Sequence, residues 1–317
     1  MKVVFGTKLP SFLLRIALIC AAFLTMDRAF QPVLAQAQST ETVRSIERKL
    51  KIGDGYRAYR VYVPSSLKNR KQAAAVILNF HGGQGSALGT EKTYGMDDLS
   101  DKYGFIAVYP EGLNKRWHDG RPNANPGIDD IPYISAILDD LKSVHAIDKT
   151  RIFACGISNG AMFCNHLALC MSDKIRAIVS IAGAITKADA ERKTTHPVSV
   201  LLIHGKNDRF VPFNGGNMSN TPTNGEVLSH EESVNRWLEL NGGPLKKLKE
   251  LEIPSQQGSE LGRRHIKQET PAQLRSWQAK NGAIVESVVI SNGGHTWPGK
   301  VNQALFGIDG VTAINVS

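Results

Sequence analysis

The sequence predicts an α/β protein, a doubly wound and mostly parallel sheet with helices on both faces. Three observations point there. Seven short runs rich in apolar and β-branched residues recur along the chain: Arg57 to Val63, Ala75 to Phe80, Phe105 to Tyr109, Arg151 to Cys155, Ala177 to Ile181, Val198 to Ile203 and Ile284 to Ile290. The first alternates like an outer strand. The others are near-continuous apolar runs, as strands covered on both faces must be. Helical patterns lie between them, over Ile131 to Val144, Ala161 to Met171 and Glu231 to Leu240. Strand–helix alternation of this kind builds a parallel sheet.

Composition agrees. Of 317 residues, 42% are hydrophobic and 21% charged, which excludes a disordered, collagen-like or coiled-coil chain. No internal stretch reaches the ~18 uninterrupted apolar residues of a membrane span. The formal charge is +9, and the first 37 residues, with Lys2, Lys8, Arg15 and Arg28 against Asp27, supply three of those charges. The rest is not gathered into a basic stripe with interleaved aromatics, so nucleic acid is not an expected partner.

Lys2 and Lys8 precede a short apolar run, Ile16 to Leu24, and the small-residue pattern Ala35-Gln36-Ala37 follows. A positive start, an apolar stretch and an A-x-A end describe a secretory signal peptide. The expectation is removal of residues 1–37, an extracellular or periplasmic location, and no stable membrane insertion afterwards. Residues 38–317 then form one catalytic domain. Cys20 leaves with the signal, and Cys155, Cys164 and Cys170 remain, an odd count. Cys164 and Cys170 stand six apart on an expected helix, roughly 9 Å along its axis, too far for a disulfide. All three read as small buried residues, and no Cys/His spacing resembles a metal site. The Lys-, Arg- and Gly-rich segment Asn241 to Lys280 reads as an irregular edge hairpin, with an excursion over the active face as the alternative.

The strongest chemical signal is Gly156-Ile157-Ser158-Asn159-Gly160, directly after the strand Arg151 to Cys155 and at the start of a helix. A G-x-S-x-G nucleophile elbow needs that context: a tight strand-to-helix turn flanked by glycines, with the serine oxygen exposed at the sheet's edge. The Asn159 amide, at the helix N-terminus, then faces the position where an oxyanion forms. A serine hydroxyl is a weak nucleophile without a base, so an acid and a histidine should follow in the order Ser, Asp, His. Asp208 lies in His204-Gly205-Lys206-Asn207-Asp208, just past the strand ending at Ile203, where sites form in open α/β sheets. His295 lies in Ser291-Asn292-Gly293-Gly294-His295 after the last strand and is the expected general base. The bland alternatives are a glycine-rich turn for Ser158 and a turn or cap for Asp208.

Among the other histidines, His81 opens His81-Gly82-Gly83-Gln84-Gly85 directly after the strand Ala75 to Phe80. This loop suits the second half of an oxyanion hole, with donors from Gly83 or Gln84. His81 itself is expected to hold the loop, and His204 to be structural. Two indoles, Trp117 after Tyr109-Pro110-Glu111-Gly112 and Trp297 two residues after His295, are candidate walls for an acyl or aryl group. Asp130, ahead of a helix, reads as a cap or a loop-fixing acceptor.

With these residues assembled, the chain resembles secreted α/β hydrolases of the polyhydroxybutyrate-depolymerase and feruloyl-esterase type, from about Ile52 onward. His81-Gly82-Gly83, Tyr109-Pro110-Glu111-Gly112, Trp117, Asp129-Asp130, the serine motif, His204-Gly205 with Asp208, and Gly294-His295-Thr296-Trp297-Pro298-Gly299 carry the likeness. It implies the α/β-hydrolase fold, a triad of Ser158, Asp208 and His295, and oxyanion donors at Gly83 and Asn159. Similar proteins carry cysteines near the positions of Gly243 and Lys280, which this chain lacks. They also continue past a segment like Ile308 to Ser317 into a final helix, so the resemblance implies a chain truncated at its C-terminus, with one sheet face short of cover.

The resulting expectation is an exported serine esterase, working through an acyl-enzyme with no metal or organic cofactor. Its substrate would be a polyhydroxybutyrate-type polyester or oligomer. The alternatives are a feruloyl or acetyl esterase acting on plant polysaccharide esters, a peptidase of the same fold, and a non-catalytic binding protein on a degenerate hydrolase scaffold.

Overall fold

A computed structural model describes residues 44–67, 73–221, 223–254 and 271–298. The expected signal segment and the chain end from residue 299 lie outside them. In chain order the strands are β1 (Ile46–Ile52), β2 (Gly55–Tyr62), β3 (Ala74–Phe80), β4 (Phe105–Pro110), β5 (Ile147–Ile157), β6 (Ala177–Ile181), β7 (Ser199–Gly205), β8 (Gly216–Asn217), β9 (Glu226–Val227), β10 (Pro244–Ile253), β11 (Ala272–Ala279) and β12 (Ile284–Ile290). The helices are α1 (Ala87–Tyr94), α2 (Met96–Tyr103), α3 (Ile131–Val144), α4 (Asn159–Cys170) and α5 (His230–Leu240).

Ten strands form one mixed sheet in the order β1-β2-β4-β3-β5-β6-β7-β12-β11-β10. The six from β4 to β12 run parallel, and antiparallel hairpins close both edges. Side chains alternate between the faces. Val76, Leu78, Phe80, Ile152 and Ala154 pack with α3, α4 and α5 on one side. Ala75, Ile77, Phe153, Cys155 and Ile157 pack with α1 and α2 on the other. Burial on both faces explains why these strands read as continuous apolar runs rather than alternating ones. The arrangement is the α/β-hydrolase fold.

Element by element, α3 keeps its expected bounds, with a proline in its first turn, where a missing N–H costs nothing. A capping box between Ser229 and Glu232 starts α5. Three elements escaped the sequence reading. β1 is a solvated edge strand inside the polar lead-in. α1 and α2 are eight-residue helices joined at Gly95, whose left-handed φ of 65° serves as cap to both. The described part of the late segment is the edge hairpin of β10 and β11, with two register shifts. Gly243 and Lys280 are adjacent, but a backbone bond joins them, the Lys280 N–H donating to the Gly243 carbonyl at 3.0 Å. Cys155 and Cys164 are buried as expected, whereas Cys170, at the last position of α4, is exposed. A terminal turn leaves its outward side chain without a neighbouring layer.

Candidate active site

The chain leaves β3 for its neighbour β4 and later returns to place β5 on the other side of β3. Loops after β3 and β5 therefore diverge from one crevice, the switch point where open α/β sheets bind ligands. The loop after β3 carries His81 to Gly85, and the turn after β5 carries Ser158. Asp208 follows β7 and His295 follows β12, adjacent parallel strands whose carboxyl ends share that edge.

Ser158 has φ 58° and ψ −124°, a conformation costly for any side chain. The fold holds it there. Its N–H donates to the Ile181 carbonyl, and its own carbonyl receives the Met162 N–H, each at 2.9 Å. Two glycines make the approach possible. A Cβ on Gly156 would come within 2.6 Å of the Gly160 backbone, and one on Gly160 would come within 2.4 Å of the His81 carbonyl oxygen. As the first residue of α4, Asn159 has an amide without an intrahelical acceptor. Its side chain is fully used: Oδ1 accepts the Trp117 N–H at 2.8 Å, and Nδ2 donates to the Trp117 carbonyl and to Asp119 Oδ2.

The Gly82–Gly83 backbone lies against this elbow, with the Cβ position of Gly82 3.5 Å from Ser158 Cβ. The Gly83 N–H meets no acceptor among the described residues. Gln84 departs from expectation. Its amide donates to the Lys115 carbonyl at 2.8 Å, so it is not available to an oxyanion. Gln84 itself has a left-handed φ of 65°. His81 holds the loop, as anticipated. Nδ1 donates to the Gly82 carbonyl, Nε2 accepts the Gly112 N–H, and burial pushes the ring down to about 4, so it stays neutral.

Asp208 and His295 meet. His295 Nδ1 lies 2.7 Å from Asp208 Oδ2, and the carboxylate is buried. The Phe210 and Val211 amides donate to Oδ1, each at 2.9 Å. Burial alone would raise this carboxyl, but the charge and hydrogen bonds of His295 and His204 overcome it and hold it well below the usual carboxylate range. An ionised Asp208 can only accept, so His295 Nδ1 is the nitrogen that donates to it. His204 is closer to the chemistry than its structural reading implied. Its Nε2 is 3.3 Å from the same Oδ2 and 3.1 Å from the Val211 carbonyl. The Ser158 hydroxyl makes no hydrogen bond to His295; nucleophile–base bonds are often long until substrate is in place.

The two indoles are not walls of the crevice. Trp117 is fully buried, donates Nε1–H to the His81 carbonyl at 2.9 Å and stacks on Phe163. Trp297 is buried and stacks on Tyr94 with ring centroids 4.0 Å apart. Each covers apolar surface that would otherwise face water. Asp130 is the loop-fixing acceptor: its carboxylate takes the His118 N–H and pairs with Arg57 at 2.6 Å. Sequence reading passed over the buried Asp119–Arg121 pair, which clamps the Asn159 side chain on one side and the Thr223 and Asn224 carbonyls on the other. Its only signal was an acid and an arginine two apart in a loop past a strand end.

A family model described as Phospholipase/Carboxylesterase matches residues 122–231. The protein named "Putative esterase NocK" of Nocardia uniformis subsp. tsuyamanensis is 28% identical over 276 residues, 83% of this chain and 76% of that one. Feruloyl esterase C of Emericella nidulans is 32% identical over 112 residues, 35% of this chain and 38% of the relative. Among solved structures, the acetyl xylan esterase from Aspergillus awamori superposes with a TM-score of 0.53 at 16% identity, over 79% of this chain and 94% of that one, a likeness of fold. Taken with the mixed sheet and its two helical layers, these likenesses make the chain a serine hydrolase on the α/β-hydrolase fold, similar to carboxylic esterases.

Proposed function

We propose that this esterase is of the feruloyl or acetyl type and hydrolyses acyl esters carried on plant polysaccharide, with Ser158 as nucleophile, His295 as general base and Asp208 as orienting acid. Ser158 Oγ attacks the ester carbonyl as its proton passes to His295 Nε2. The Gly83 and Asn159 amides donate to the tetrahedral oxyanion. The alcohol departs with the proton, and water repeats the sequence on the acyl-enzyme. The observation that carries the reading is the bond between Asp208 and His295, made across 87 residues at the edge where the strained Ser158 turn opens. The likeness to feruloyl esterase C favours this acyl class over hydroxyalkanoate esters.

A panel of methyl ferulate, acetylated xylan, hydroxybutyrate oligomers and p-nitrophenyl acetate, run on the chain and on Ser158→Ala, tests both parts. Turnover of the first two, lost by about 10³-fold or more in the variant, is the expected result. Hydrolysis indifferent to the substitution removes the mechanism, and preference for hydroxybutyrate oligomers removes the substrate class. Export through the N-terminal segment belongs to the same proposal. It predicts a mature N-terminus just after Ala35 or Ala37, readable by mass spectrometry of the secreted chain.

A further inference from the structure

The end of α4 opposite Ser158 carries a second nucleophile. Cys170 closes this helix and is exposed, while Cys155 and Cys164 are buried, and none of the three is joined in a disulfide among the described residues. Cys170 does not stand alone. His166, one turn earlier on the same face, brings Nε2 to 3.7 Å from Cys170 Sγ. The opposite ring nitrogen, Nδ1, lies 2.7 Å from Asp189 Oδ2, and the imidazole and this carboxylate are both buried. Thiol, imidazole and carboxylate thus stand in line, the relay by which an imidazole activates a nucleophile. Packing fixes the ring. Phe163 stacks on it, and His118 meets it edge-on at 5.7 Å. Arg192, half exposed, holds the other Asp189 oxygen and is near enough to Cys170 to feel its charge.

Burial alone would discharge His166. The Asp189 bond and the neighbouring sulfur outweigh it and carry the ring up to about 9. Near neutral pH an imidazolium therefore faces Sγ, and the Arg192 guanidinium pairs with the same Asp189 carboxylate. Electropositive, partly exposed surroundings are those in which a cysteine reacts as thiolate.

We propose that Cys170, with His166 and Asp189, is a reactive-thiol site that exchanges with small anionic disulfides. Thiolate Sγ attacks one sulfur of the disulfide. A Cys170–sulfur bond forms, the disulfide's own S–S bond breaks, and its second sulfur leaves as a thiolate. Oxidation of the Cys170 sulfur is balanced by reduction of the departing one, so no further reagent enters. Cys164, roughly 9 Å along the helix and buried, cannot resolve the product. The mixed disulfide persists until an external thiol removes it. Ser158 lies about 18 Å away along the helix axis, so the two nucleophiles act independently.

The test is the rate of reaction of the native chain with dithiobis(nitrobenzoate), a dianionic disulfide, at neutral pH, with peptide mapping to locate the adduct. One equivalent should add at Cys170, about tenfold or more faster than at the same residue in urea-unfolded chain. His166→Gln, its fold checked by circular dichroism, should remove that advantage. Arg192→Gln should slow this reagent and leave the rate with uncharged dithiodipyridine unchanged. Native Cys170 reacting no faster than in the unfolded chain overturns the proposal without reference to any variant. So does first labelling at Cys155 or Cys164, or an unchanged rate in folded His166→Gln.

Discussion

Asp208 is the residue on which the electrostatics of the crevice turn. Two imidazoles reach one of its oxygens, and two backbone amides fill the other. The imidazoles are not equivalent. His295 is partly exposed beside the crevice, while His204 is fully enclosed and spends its Nε2–H partly on the Val211 carbonyl. Accordingly His295→Ala should lower kcat by about 10³-fold or more with little effect on the urea midpoint. His204→Ala should do the reverse, costing on the order of 2 kcal/mol of stability and much less activity. Steady-state kinetics and urea titration of both variants check this, and the opposite pattern would exchange their roles. The loops that carry Ser158, Asp208 and His295 were legible one by one because each follows an apolar run and bears glycine. The indoles were not: nothing near Trp117 or Trp297 in sequence says whether an aromatic turns inward. Gln84 was not legible for a related reason: its N–H is taken by the Lys115 carbonyl, an acceptor distant in sequence.

At the scale of elements, the strand–turn–helix unit of β5 and α4 is the part of the fold with least tolerance. Gly160→Ala would drive a methyl group into the backbone at the end of β3, where two carbonyl oxygens lie within 2.6 Å of the Cβ position. Backbone cannot yield as a side chain can, so a loss on the order of 3 kcal/mol or more is expected, read from thermal or urea unfolding. Trp117→Phe keeps most of the packing against Phe80 and Phe163 but leaves the His81 carbonyl without its donor. It should cost about 1–3 kcal/mol and reduce kcat, because the His81 loop carries the Gly83 amide. Core strands were evident as continuous apolar runs, and the long helices as the helical patterns between them. β1 was not, because only Leu50 and Ile52 pack on the core and charged residues fill most of its other positions. Nor were α1 and α2, whose two turns each are too short for a 3.6-residue period to emerge.

For the whole molecule, buried histidines set the acid limit. His81 titrates at about 4 and His230 at about 3, both pushed down chiefly by burial, against 6.5 for the unfolded chain. Below pH 6.5 the unfolded chain therefore takes up protons that the folded one refuses, and stability falls with pH until about 4 and 3 respectively. The His81 share is on the order of 3 kcal/mol. His166 acts in the opposite sense: its raised value stabilises the fold below 6.5, and that contribution fades as pH rises through about 9. Urea unfolding across this range should show an acid limb that His81→Gln flattens and a shallower alkaline loss that His166→Gln removes. A flat profile between about pH 4 and 6.5 would contradict the neutral buried state of His81.

By itself the sequence determined which segments are the core strands and that Ser158, Asp208 and His295 each stand in a loop after one of them, because period and turn chemistry are local properties of the chain. Only the tertiary structure decided that Asp208 finds His295, that Trp117 braces the His81 loop from within, and that Cys170 emerges beside a buried imidazole–carboxylate pair. Those outcomes depend on which side chains a residue meets across dozens of intervening positions, and on how much water the assembled layers leave around it.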